Sequence, residues 1–159
     1  MPIEIQKMET DEEIQGKAYV HWRAWHEAYP GLISQNALDR HTQKRCEQIA
    51  FCDRQGSLFV AKDAGRVIGF AGCGTREDPD TGEIFAVYTL SEYYGKGVGQ
   101  KLMEACLRQL QGSRRICLWV LKENRRAIRF YEKCGFSPDG EEVYHAGLAA
   151  AEIRMVLTR

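Results

Sequence analysis

The stretch YYGKGVGQKLM, residues 93–103, sets Gly95, Gly97 and Gly99 at alternate positions just before an apolar helical pattern. Glycine is the most costly residue to order on folding, so three this close together require a reason. A glycine-rich turn between a strand and a helix aims free backbone N–H groups and the helix dipole at an anion. Two common phosphate loops do not fit the spacing. A P-loop needs G-x-x-x-x-G-K-[ST], whereas Lys96 is followed by Gly97, with no Ser or Thr where Mg²⁺ would bind. A dinucleotide fold needs G-x-G-x-x-G, and this loop reads G-x-G-x-G. Two readings are left: a diphosphate lying across consecutive amides, or a flexible turn with a solvated lysine.

A second pair of residues lies downstream. In WVLKENRRAIRFYEKCGF, Asn124 stands at a strand–helix junction and Tyr131 follows seven residues later. Seven residues is about two helical turns, so both face the same side.

These residues depend on the elements that hold them. The chain opens with an alternating segment, IEIQKM, and a helical stretch from Asp11 to Tyr29 with Ile14, Ala18, Trp22, Trp25 and Tyr29 on one stripe. Ser34 is placed to cap a second helix ending near Phe51. The period then changes to that of strands: SLFVAK, VIGFAGCG and, after the polar loop REDPDTG, EIFAVYTL. The last is apolar on both faces, which predicts a central, doubly covered strand. A helix with Val98, Leu102, Cys106 and Leu110 on one face follows the glycines. Then come the buried strand RICLWVL, a helix capped by Asn124 and ended by Gly135, and two closing strands around EEVYHA and AEIRMVL. The reading is one α/β domain over residues 1–159, a mixed sheet of about seven strands flanked by about four helices.

Composition narrows the class of function. Lys plus Arg equals Asp plus Glu, 22 each, so no basic excess exists to hold nucleic acid. No apolar run approaches membrane-spanning length, and the N-terminus is polar and acidic, without a signal core. Six cysteines lack C-x-x-C spacing and a run of histidines, which gives no support to a metal; they read as reduced, buried thiols of a cytoplasmic protein. His21 and His26 splay around the helix and make a poor metal pair. If the chain assembles, a symmetric homodimer is the commonest arrangement.

Together, YYGKGVGQKLM and ENRRAIRFYEKCGF resemble the GNAT superfamily of acyl-CoA-dependent N-acetyltransferases, and the element order extends that resemblance over nearly the whole chain. The resemblance implies acetyl-CoA as co-substrate, with its pyrophosphate held by the loop Gly95, Lys96, Gly97, Val98, Gly99 and Gln100. Tyr94 stands where the family usually has Arg or Gln. The same resemblance implies that Val87, Tyr88 and Thr89 pair with the pantetheine arm, that Asn124 bonds it, and that Tyr131 lies near the thioester sulfur. It further places Trp25 and Tyr29 beside an acceptor pocket for a small-molecule or peptide amine, and Glu83 on the acceptor side as a candidate base.

The implied chemistry is attack of a neutral amine on a thioester. An amine of pKa ~10 must first lose a proton, and the departing thiolate gains from an acid such as the Tyr131 hydroxyl. The rival is a non-catalytic acyl-CoA-binding module, which the exchange at Tyr94 favours and the presence of Tyr131 disfavours. The carboxylates Glu77, Asp78, Asp80 and Glu83 lie within seven residues and predict attraction of a cationic amine.

Overall fold

A computed structural model describes residues 2–52 and 55–159. In chain order the elements are β1 (Glu4–Lys7), α1 (Asp11–Ala28), α2 (Gln35–Arg40), α3 (Gln43–Cys52), β2 (Ser57–Asp63), β3 (Arg66–Thr75), β4 (Thr81–Thr89), a 3₁₀ turn (Ser91–Tyr93), α4 (Val98–Gln109), β5 (Arg115–Leu121), α5 (Arg125–Lys133), β6 (Ser137–His145) and β7 (Ala150–Thr158). The seven strands form one sheet, ordered β1-β2-β3-β4-β5-β7-β6, in which β4 is central as its apolar sequence requires. There are five helices where about four were expected. The expected helix over 34–51 is two, because His41 leaves helical geometry (φ −85°, ψ 78°) and the Thr42 hydroxyl accepts from Arg45 N–H, starting α3 afresh.

Helix α1 begins at a capping box: Glu13 N–H donates to Thr10 Oγ1 at 3.1 Å, and Thr10 N–H donates to Glu13 Oε1 at 3.0 Å. The buried Glu13 carboxylate also accepts from Glu9 N–H at 2.7 Å, from Lys62 Nζ at 2.6 Å and from Gln6, tying α1 to β1 and β2. The Lys62 hydrogen bond first, and then the backbone donors, hold its pKa down to about 2. A depressed carboxylate contributes stability that is present above its unfolded pKa and lost as pH falls through its folded pKa. Glu13→Gln is therefore expected to lower the melting temperature by about 5 °C at neutral pH, from ~2 kcal/mol for a buried charged hydrogen bond and ~2–4 °C per kcal/mol. The gap should close between about pH 4 and pH 2; a gap constant over that range in calorimetry would remove Glu13 from the account.

On β3, the Phe70 ring lies under Lys17 and His21 of α1, while a Cβ on its neighbour Gly69 would meet Leu102 of α4 at 3.3 Å. Successive strand residues point to opposite faces, so α1 and α4 cover opposite sides of the sheet. Of the six cysteines, Cys46, Cys73 and Cys106 are buried as expected, whereas Cys52 is exposed at the end of α3.

The feature that creates the site is a bulge. Along β3 and β4, Gly72 pairs with Ala86 but Cys73 pairs with Ile84, which leaves Phe85 as an extra residue. Gly56 and Gly74 clear its seat, since a Cβ on either would press on the Phe85 ring, at 3.0 and 3.3 Å. Strands β4 and β5 are parallel and pair only from Thr81–Ile84 to Arg115–Leu118. Past Phe85, β4 stays with β3 as far as Thr89 while β5 stays with β7 as far as Leu121. The sheet opens between them as a wedge.

Candidate active site

A cavity of about 110 Å³ fills the wedge, lined by the Phe85–Thr89 backbone, Trp119, Leu121, Asn124, Tyr131, Tyr29 and Glu152. A groove of about 290 Å³ continues from it through Val87, Thr89, Arg126 and Ala127 to the glycine loop. The strand edge facing the wedge lacks a β5 partner beyond Ile84, so its amides and carbonyls are open to an extended, amide-bearing ligand.

The three loop glycines serve two purposes. Gly95 (φ +76°) and Gly97 (φ +82°) hold left-handed backbone, and a Cβ on either would meet nothing within 4 Å. Gly97 caps α4 without a side chain, and Lys101 N–H makes the first bond back to its carbonyl. The N–H groups of Val98, Gly99 and Gln100 thus have no intrahelical acceptor and open onto the groove. Gly99 also permits close packing, because a Cβ there would sit 3.2 Å from the Phe130 ring of α5.

Side chains around the loop are largely engaged. Lys96 lies over the Tyr93 ring at 5.5 Å, and Gln100 is 3.5 Å from Glu104 and accepts from Cys134 Sγ at 3.6 Å. The Arg126 guanidinium lies over the Tyr94 ring, 3.7 Å from its centroid. The cation absent from the loop at position 94 is supplied from α5 and lines both wedge and groove.

Asn124 caps α5 by accepting from Ala127 N–H at 3.3 Å, which leaves its side-chain NH₂ as the group available to a ligand. Tyr131 is buried at the wall between wedge and groove, its ring against Phe130 and Phe136. Its hydroxyl has no hydrogen-bond partner among the described residues, and burial pushes its pKa up, so it stays a phenol at neutral pH.

Across the wedge, the Tyr88 hydroxyl accepts from Trp25 Nε1 at 3.1 Å and lies 3.1 Å from the Tyr29 hydroxyl. Burial raises the pKa of both tyrosines, and they remain neutral. Val87 and Thr89 line the groove, whereas the Tyr88 side chain joins this cluster on the α1 side. Trp25 stacks on His41 at 3.8 Å, and His41 Nε2 lies 3.4 Å from Cys46 Sγ. Sequence spacing gave no hint of this His21–His41–Cys46 grouping, whose ligand atoms fall within 4.8 Å of one another. Burial holds His21 down to about 3 and His41 to about 4, and raises Cys46 to about 11, so all three are neutral.

Glu83 is not brought to Tyr131. Arg76 Nε donates to its Oε1 at 2.7 Å and Arg76 Nη2 reaches Oε2 at 3.4 Å, in a trough over the closed end of the wedge. The rest of the acidic loop behaves similarly. Asp80 pairs with Arg114 at 2.6 Å, Asp78 accepts from Asp80 N–H and the Thr81 hydroxyl, and the loop enters β4 where β4 and β5 are paired. Of the four carboxylates expected to attract a cationic amine, Glu83 and Asp80 are thus each paired with an arginine. Glu152, by contrast, lines the wedge and was not singled out in the sequence, where it is one polar residue in an alternating strand.

The bulged central strand, the wedge beside it and the helix N-terminus at its mouth form one continuous site. Residues 6–136 match the model of the acetyltransferase (GNAT) family, and the chain belongs to that family. An uncharacterised N-acetyltransferase of Archaeoglobus fulgidus is 33% identical over 116 residues, which cover 69% of this chain and 79% of the relative. Among solved structures, PH1933 from Pyrococcus horikoshii superposes with a TM-score of 0.75 at 26% identity, over 99% of each chain. The PaiA N-acetyltransferase of Thermoplasma acidophilum, solved with coenzyme A, shares the fold at a TM-score of 0.79 and 18% identity, over 100% of each chain. The chain is an acetyltransferase with the mixed seven-stranded fold of that family. Among the described residues, no helix is long and apolar enough to cross a membrane.

Proposed function

We propose that the chain transfers the acetyl group of acetyl-CoA to a primary amine by direct attack in the wedge. The observation that carries this reading is the continuity of groove and wedge past the Tyr131 hydroxyl. The diphosphate lies against the N–H groups of Val98, Gly99 and Gln100, with Gly95 and Gly97 leaving room and Arg126 adding charge. Pantetheine runs along the Val87–Thr89 edge as a surrogate strand, near the Asn124 side-chain NH₂. The thioester enters the wedge from the α4–α5 side, and the amine approaches from the α1 side beside Tyr29, with Trp25 behind it.

Attack forms the C–N bond and breaks the C–S bond, and the electron pair leaves on sulfur. The Tyr131 hydroxyl donates to that sulfur as charge develops. A thiol is normally more acidic than a phenol, so the contribution is chiefly a strengthened hydrogen bond to the departing thiolate. The acceptor is a small molecule or a peptide amine.

Addition of an amine panel (ethanolamine, spermidine, lysine and a short peptide with a free N-terminus) to protein and acetyl-CoA should release free thiol. Mass spectrometry should find the acetylated amine in equal amount. Acetyl-CoA binding by calorimetry with no thiol release across amines of every charge would favour a binding module instead.

A further inference from the structure

We propose that Glu152 is the group that takes the proton from the incoming amine, and that His145 positions its carboxylate; this rests on the acetyltransferase reading above. Glu152 pairs with Leu121, the last residue of β5, so it stands at the open end of the wedge. It lines the same cavity as Tyr29, Tyr88 and Tyr131. Its Oε1 is 2.8 Å from His145 Nε2 on the neighbouring strand β6.

The groups around Glu152 leave it free to act as a base. From α1 and β4 it faces the neutral phenols of Tyr29 and Tyr88, and across the wedge that of Tyr131. The cations flanking it, on β7 and just past β5, are committed elsewhere: Arg154 to Asp139 at 2.7 Å, Lys122 to Glu142 at 3.0 Å. Among the described residues, the side chain within hydrogen-bond distance of its carboxylate is that of His145. Glu83 differs in each respect, clamped by a guanidinium and outside the cavity. A carboxylate clamped by a fixed cation is a poor proton acceptor, whereas a single neutral imidazole N–H costs a carboxylate less of its basicity and fixes its direction. The Glu152 side chain is 27% exposed, enough to return a proton to water after each turnover.

The step balances. An ammonium R–NH₃⁺ gives one proton to the Glu152 carboxylate, and the resulting amine attacks the thioester carbon. The C–S bond breaks, the nitrogen sheds its second proton, and amide, coenzyme A thiol and one proton to solvent result.

Two amines separate proton removal from everything else. Ethylamine is protonated at neutral pH, and methoxyamine is not. Glu152→Gln should lower kcat/KM for ethylamine by about 10²-fold, within the range typical of acid–base catalysis, and change it little for methoxyamine. With ethylamine, the variant's rate should climb tenfold per pH unit, following the free-amine fraction, while the wild-type profile is flatter. His145→Ala should show a smaller selective loss, and His145→Gln, which keeps an N–H donor, should restore most of it. The methoxyamine arm also shows that each variant is folded and loaded with acetyl-CoA. Equal losses with both amines, or no loss with ethylamine, would overturn the assignment. A wild-type chain that binds acetyl-CoA and turns over neither of these amines nor any of the panel above would instead overturn the acetyltransferase reading beneath it.

Discussion

Tyr131→Phe is expected to lower kcat by about 10²–10⁴-fold, the range typical of a positioned acid or base, while acetyl-CoA affinity and melting temperature stay close to wild type. The substitution removes one oxygen and keeps the ring. Its contacts with Phe130 and Phe136 therefore survive, and no hydrogen bond to a described residue is lost. What disappears is a donor facing the place where sulfur would gain charge. That donor acts mainly in the transition state, so kcat and kcat/KM should fall together. Burial keeps the phenol protonated throughout the neutral range, and Tyr131 should add no basic limb to the pH profile there. Pre-steady-state measurement of thiol release isolates the chemical step. An unchanged rate for that step would reduce Tyr131 to a wall of the cavity.

The second large effect is on binding. Gly97→Val places a β-branched side chain at φ +82° and projects it into space that no protein atom occupies within 4 Å. Two losses combine: the left-handed turn is strained by roughly 1–2 kcal/mol, and the amides at the start of α4 are screened from an anion. Losing hydrogen bonds to a charged group costs ~1.5–3 kcal/mol, which corresponds to a rise of about 10–100-fold in the acetyl-CoA Kd. Gly31→Val is the control, since Gly31 has φ +84°, open space around its Cβ, and no place in the groove. It should reproduce the strain in thermal melting without the change in Kd. If Gly97→Val binds acetyl-CoA as tightly as wild type in calorimetry, the glycine loop does not hold the diphosphate.

The sequence alone determined the element order apart from the break between α2 and α3, the central place of β4, the glycine loop and the side of α5 that faces Asn124 and bears Tyr131. Each is encoded within a dozen residues, as a strand or helix period, a cap or a turn, and local backbone sterics act over that distance. Tertiary structure decided the rest. The bulge at Phe85 depends on the register between β3 and β4, and its trace in the sequence, the glycines at 56 and 74, has no meaning until the two are brought together. Arg126 reaches the Tyr94 ring only because α5 packs beside the loop. Glu83 and Glu152 read alike, each a lone carboxylate near the start of a strand. The β5-β7-β6 order carries Glu152 to the wedge with His145 beside it, while Arg76 folds back on Glu83. Strand periodicity says which side chains share a face, but what lies across from that face is fixed by long-range pairing, through the packing of segments distant in the chain.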